Sequence, residues 1–300
     1  MAIPSHVLAG IRNLAPLPVT SQKLSAAIAK QDVSASEIAR LIEFDEALSA
    51  NILRVANSSA YANLIRLDEI GQAVMRLGIN AVLHIALGDY LKHLHTDAPL
   101  YDLSENDLWL HGAVASLAVG ELTQESPSGT LPRSASLAAL LHDVGKLIIV
   151  RYMKADVRWL LAKCQKEGIT FVQAERAVLG CDHAEVGGAI ARKWSFPEEI
   201  VDALSRHHDA PMTEPSPTLD GVILGNLVAK TLGTGLGAEG MNFDLDIGAS
   251  RRHGITFAGF CRACARTSVH MEGLKEAYGL SATSLRSLAG SKAGGGSIHA

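Results

Sequence analysis

Apolar residues recur every three or four positions along most of this chain, the spacing that turns one face of an α-helix toward a core. After an extended entry at Pro16 and Pro18, Ile38, Leu41 and Ile42 form one such face. Ser34 and Glu37, spaced as a capping box, mark where that helix begins. Leu48, Ile52, Val55 and Ala56 supply a second stripe, which "NSS" at residues 57–59 should end. Through "LDEIGQAVMRLGINAVLHIALGDYLKHL", Gly71 and Gly78 are expected to punctuate short helices. The first hundred residues therefore read as a compact bundle of short helices.

Polar stretches divide the rest. "TDAPLYDLSEN" (96–106) breaks the periodicity and sets a boundary near residue 100, so that residues 1–100 and 101–285 form two helical subdomains. Loops are expected at 123–134, rich in Ser, Pro and Gly, and at 210–218, while 286–300 is a low-complexity, disordered tail. No repeat of fixed period is present. Apolar residues make up 48% of the 300 positions and aromatics only 5%, with Ala and Leu abundant, which favours an all-α fold.

Charge narrows the function classes. A net charge of -4 gives no general attraction to nucleic acid, so nucleic-acid binding is not expected. No run of 18 apolar residues is present and the first residues lack a basic segment leading into an apolar one, so no membrane association and a cytoplasmic location are expected. Four cysteines are too few for a disulfide scaffold. Cys261 and Cys264 form a single C-x-x-C with no second pair, which fits small residues one helical turn apart better than a zinc or redox site.

Five histidines in the second half fall on faces the pattern buries: His111, His142, His183, His207 and His208. His111 lies on a stripe with Leu108, Ala115, Ala118 and Leu122. His183, behind an expected Asp182 N-cap with Glu185 as reciprocal partner, lines up with Val186, Ile190 and Trp194. Ile200, Leu204, His207 and His208 continue one face after Pro197, and His142 with Asp143 follows the apolar "LAALL". One such histidine is explained by a backbone carbonyl; several together are costly to bury unless they bond to one another or bind something. Imidazoles with a carboxylate suit a divalent transition metal such as Fe, Mn or Zn, which could activate water against a phosphate ester. Lys146 is either a phosphate contact or an exposed helix lysine. A working two-metal site needs more acid than Asp143, and Asp209, Asp220 and any acid on the helix after the second loop are the candidates.

In this order, His111, the doublet in "HDVGK", His183 in "DHAEVGG" and the "HH" pair resemble the HD superfamily of metal-dependent phosphohydrolases. The match is closer to its HDOD relatives, carried by "PLPVTSQKL", "IEFDEALSANILRVANSSAY", "IGQAVMRLG", "LLHDVGK", "DHAEVGGAIARKW" and "FPEEIVDAL" leading into "HHD", over residues 14 to 275. The resemblance implies an all-helical fold, with the N-terminal bundle packed on an HD-like helical subdomain, and a bacterial regulatory module without an established catalytic activity. It also implies a final metal-binding acid on the helix "DGVILGNLVAK", where Asn226 stands instead. The Gly-Tyr-Pro signature of related cyclic-di-GMP phosphodiesterases is replaced by "HHDAPMTEPSPT". The expectation is thus a non-catalytic signalling module acting through protein partners, with a vestigial or weak metal site and scope for a nucleotide ligand or a homodimer. The alternative is a metal-dependent phosphohydrolase acting on a nucleotide or cyclic dinucleotide. A partner surface is expected where "NSSAYANLIRL" meets the loops after His208.

Overall fold

The computed structural model describes residues 3–30, 32–58, 61, 66–92, 99–127, 131–153, 156–209, 215–238 and 247–277. Among them every regular element is helical, in agreement with the all-α expectation. The tail 286–300, most of 210–218 and much of "NSSAYANLIRL" lie outside the described residues.

Six helices come first: α1 (Ser5–Asn13), α2 (Val19–Ile28), α3 (Ala35–Ile42), α4 (Glu46–Ala56), α5 (Ile70–Leu77) and α6 (Ile79–Lys92). The Ser34 hydroxyl accepts the Glu37 N–H at 3.2 Å and the Asp45 carboxylate accepts the Leu48 N–H at 3.1 Å, so side chains stand in for missing backbone partners where α3 and α4 start. Their inward stripes, including Ile38, Ile42, Ile52 and Val55, are buried. Gly78, at φ 79°, lets the chain bend by 106° between α5 and α6. Gly71 does not punctuate anything: it lies in the first turn of α5, and the break falls before Ile70. No single helix among the described residues is long and apolar enough to cross a membrane.

A short 3-10 turn (Pro99–Tyr101) leads to α7 (Glu105–Glu125), α8 (Arg133–Leu141), α9 (Val144–Tyr152), α10 (Val157–Glu167), α11 (Phe171–Leu179), α12 (His183–Lys193), α13 (Glu198–Arg206), α14 (Pro217–Thr231), α15 (Ile247–Arg252) and α16 (Phe257–Ala277). The expected loop at 123–134 is shorter than its composition suggests, because α7 runs to Glu125 and α8 starts at Arg133. Helix α7 is central, with α8, α14 and α16 around it, and α12 packs on α9 and α13. Cys261 and Cys264 lie on α16, the first exposed and the second half-buried.

Both groups of helices meet along α7, α8, α9 and α12, with α6 also lying on α7. Helices α2 and α6 lie on α8, and α1 lies on α9 and α12. Polar ties cross the seam: Arg133 donates to the Val33 carbonyl at 2.6 Å and Lys193 to the Arg12 carbonyl at 2.8 Å. The glycine of "HDVGK" is there for proximity: a Cβ on Gly145 would sit 1.9 Å from the His183 carbonyl oxygen. Only a residue without a side chain lets α9 approach α12 this closely.

Candidate metal centre

The residues singled out as histidines on buried faces converge. His111 projects from the middle of α7, within the buried stripe formed by Leu108, Ala115, Ala118 and Leu122. The His142–Asp143 doublet is the junction itself, with His142 capping the end of α8 and Asp143 preceding α9. His183 opens α12 behind an Asp182–Glu185 capping box, and His207 and His208 follow the last turn of α13. All are buried except His208, which is half-buried.

Asp143 divides the cluster. Its Oδ2 lies 3.5 Å from His142 Nε2 and 3.7 Å from His111 Nε2, while its Oδ1 lies 3.4 Å from His183 Nε2 and 3.9 Å from His207 Nε2. One ligand atom each from Asp143, His183, His207 and His208 fall within 4.8 Å of one another, and so do those from His111, His142 and Asp143. Lys146 is buried, so the exposed-lysine reading fails; its ammonium donates to Asp143 Oδ2 at 2.8 Å. Burial opposes ionisation of Asp143, but His142, Lys146, His183 and His111 around it hold the carboxyl well below its usual range.

The imidazoles turn the same nitrogen inward. Nδ1 of His111, His142 and His207 faces a backbone carbonyl, of Thr234 at 3.1 Å, Ala139 at 2.8 Å and Leu204 at 2.8 Å, and Nδ1 of His183 faces Glu175 Oε2 at 2.8 Å. A carbonyl can only accept, so Nδ1 carries the proton in the first three rings and Nε2 points a lone pair at the centre. His111 Nε2 and His142 Nε2 then oppose each other at 3.3 Å. Burial, the leading cause in each, keeps both rings neutral, with pKa values lowered to about 4 and about 3. Two facing lone pairs in a buried site call for a cation between them, and Nδ1–H groups fixed by outer acceptors are how metal-binding histidines are oriented. Among the described residues, His207 Nε2 and Asp143 Oδ1 likewise have no hydrogen-bond partner. The donor set thus fits a divalent ion that favours imidazole. A cleft lined by Leu91, Leu108, Trp109, Leu140, Val144 and Leu147 reaches Asp143, with about 20 Å³ of free space, enough for roughly one water.

Asp209 and Asp220 do not join the cluster. Asp209 is exposed beside Arg176 and Arg206, and Asp220 is held by Arg252 at 2.6 Å and His253 at 3.0 Å. Asn226 lies on α14 with a buried Oδ1 that has no hydrogen-bond partner. Sequence reasoning missed Glu175 and Tyr101. Both are fully buried: Tyr101 donates to Glu175 Oε1 at 2.5 Å, and burial, followed by the charge of Glu175, raises the Tyr101 pKa well above 10.0 so that it stays a donor. Glu175 was findable, because it shares an i±4 stripe with the apolar Phe171 and Leu179.

The HDOD domain profile matches residues 14–210. An uncharacterized protein of Treponema pallidum (strain Nichols) is 25% identical over 237 residues, covering 74% of this chain; this chain spans 43% of that relative, less than half its length. Among solved structures, an HDOD domain protein of unknown function from Geobacter sulfurreducens superimposes with a TM-score of 0.68 at 25% identity, covering 90% of this chain and 94% of the other. A candidate signal transduction protein from Marinobacter aquaeolei VT8 has a TM-score of 0.71 at 20% identity over 90% of this chain and 65% of its own, a likeness of fold. With its helices, its doublet and its inward histidines accounted for, the chain belongs to the HDOD domain family.

Proposed function

We propose that this protein is a bacterial signalling module whose buried histidine cluster binds a divalent metal ion and which acts through protein partners rather than by turning over a substrate. The observation that carries this reading is that, among the described residues, the ligand set holds a single carboxylate, Asp143, already bonded to the Lys146 ammonium at 2.8 Å. Neutral imidazoles add no negative charge, so two divalent ions would gather four positive charges against one carboxylate. Asn226, at the position where the family resemblance expects an acid, can supply a carbonyl oxygen and no charge. One ion, with an imidazole preference that favours Fe or Zn over hard cations such as Mg, is the arrangement this chemistry supports. A bound ion would polarise whatever oxygen ligand completes its sphere; the chain itself holds the imidazoles in one tautomer and excludes bulk water. Cytoplasmic residence and self-association into a homodimer belong to the same proposal.

The second reading, a metal-dependent phosphohydrolase, is favoured by Asp143 itself, whose two oxygens face separate groups of histidines as a bridging carboxylate would. Lys146 would then contact a phosphate. Steady-state hydrolysis of a cyclic dinucleotide and of bis-p-nitrophenyl phosphate, with Fe, Mn or Zn supplied, separates the two. The proposal expects wild type to match the Asp143→Ala background. Turnover that needs the metal and vanishes in that variant would replace it with the phosphohydrolase.

A further inference from the structure

Tyr101 sits in the short turn that joins the two groups of helices, yet its side chain reaches the candidate metal centre. It packs against Phe171 at 5.9 Å between ring centres and edge-on to the His183 ring at 6.1 Å, and the Lys146 ammonium lies 5.3 Å above its ring. Its hydroxyl donates to Glu175 Oε1 at 2.5 Å, and Glu175 Oε2 meets His183 Nδ1 at 2.8 Å and the His183 backbone N–H at 3.4 Å. The Tyr101 carbonyl accepts the Ala238 N–H at 2.7 Å, which ties the turn to the segment after α14. A fully buried carboxylate therefore has the turn on one oxygen and a candidate metal ligand on the other.

We propose that Tyr101 and Glu175 are positioning residues that couple the turn between the two helical groups to metal binding at His183. A cation drawing on His183 Nε2 makes its Nδ1–H a better donor, which strengthens the bond to Glu175. Glu175, fixed in place, holds the Tyr101 hydroxyl, and with it the turn that directly precedes α7. The coupling is reciprocal: whatever displaces the turn weakens the hold on the metal by the same factor by which the metal steadies the turn. This inference rests on the metal-binding reading above and names how that site is regulated.

The test is hydrogen–deuterium exchange of the full chain with and without Zn2+, in wild type, Tyr101→Phe and Glu175→Gln, with zinc uptake measured by calorimetry on the same samples. Zinc should slow amide exchange over residues 99–104 in wild type. In Tyr101→Phe zinc should still bind and protect the start of α12, but protection of the turn should be lost. Glu175→Gln, which keeps the shape of the side chain, should weaken zinc binding about 10-fold or more, the usual effect of losing an outer-shell partner of a metal-bound histidine. Zinc uptake with no protection of the turn, or equal protection of the turn in wild type and Tyr101→Phe, would overturn this coupling alone. No zinc uptake by wild type would overturn the metal-binding reading and the coupling with it.

Discussion

His84 shows what an imidazole costs when it lacks the arrangement found at the centre. It is fully buried on α6, neither ring nitrogen has a hydrogen-bond partner among the described residues, and burial lowers its pKa to about 3. Its folded pKa lies below the unfolded value of 6.5, so the unfolded chain binds the extra proton and stability falls as pH drops below 6.5 toward 3. His84→Met should therefore stabilise the protein, and by about 2 kcal/mol more at pH 5 than at pH 7.5. Denaturant titration at both pH values checks this; an equal gain would mean that His84 protonates in the folded state. His111 and His142, lowered to about 4 and about 3, act in the same direction, so the metal-free protein should lose stability between pH 6.5 and 5. His142→Ala should nevertheless lower the melting temperature of the metal-free protein, since it leaves a void between His111 and Asp143 and takes the Nδ1–H donor from the Ala139 carbonyl. Asn226→Leu removes an orphaned buried oxygen, so it should cost no more than about 0.5 kcal/mol. A large loss would show that the amide has a structural role.

At the scale of elements, the contact between α9 and α12 sets the separation of Asp143 from His183. Gly145→Ala would drive a methyl group into the His183 carbonyl, and should cost about 1–3 kcal/mol by overpacking. It should weaken metal binding as well, which distinguishes a displaced ligand from a loosened core; calorimetry with Zn2+ reads both effects. Helix α16 is attached differently. Its arginines Arg262 and Arg266 pair with Glu125 at 2.5 and 2.8 Å near the surface, whereas Leu274 is buried. Ion pairs whose arginines stay in water contribute little, so Glu125→Gln should cost less than Leu274→Ala, which should cost about 2–5 kcal/mol. Elements such as these were legible wherever apolar spacing or a cap announced them: the stripes of α3, α4, α7 and α12 all face inward, and Ser34 and Asp182 cap where their spacing indicates. Composition misjudged their lengths at 123–134, because Thr123, Gln124 and Glu125 still bond within α7 although they read as polar loop.

Across the whole molecule, the inward histidines could be listed from the sequence, but the proton that each imidazole commits could not. At His142 and His207 the acceptor is the carbonyl three residues earlier, Ala139 and Leu204, a local contact at a helix end; at His111 it is the Thr234 carbonyl and at His183 it is Glu175, which only the fold sets against those rings. Lys146 shows the same limit, since its spacing fits an exposed or a buried side chain and only the closeness of α9 to α12 decides. The turn at Pro99–Tyr101 read as a boundary because it is polar; in three dimensions it is the link between the two groups of helices and the site. The proposed metal-binding unit comprises the five histidines and Asp143. Titration of chelator-treated protein with Zn2+, in wild type and Asp143→Ala, tests it most directly. Wild type should take up one zinc per chain, and binding should be weaker by about 100-fold or more without the carboxylate, since at most the three neutral imidazoles of one ligand group would then hold the ion. No uptake by the folded wild type, or equal affinity in both proteins, would contradict it.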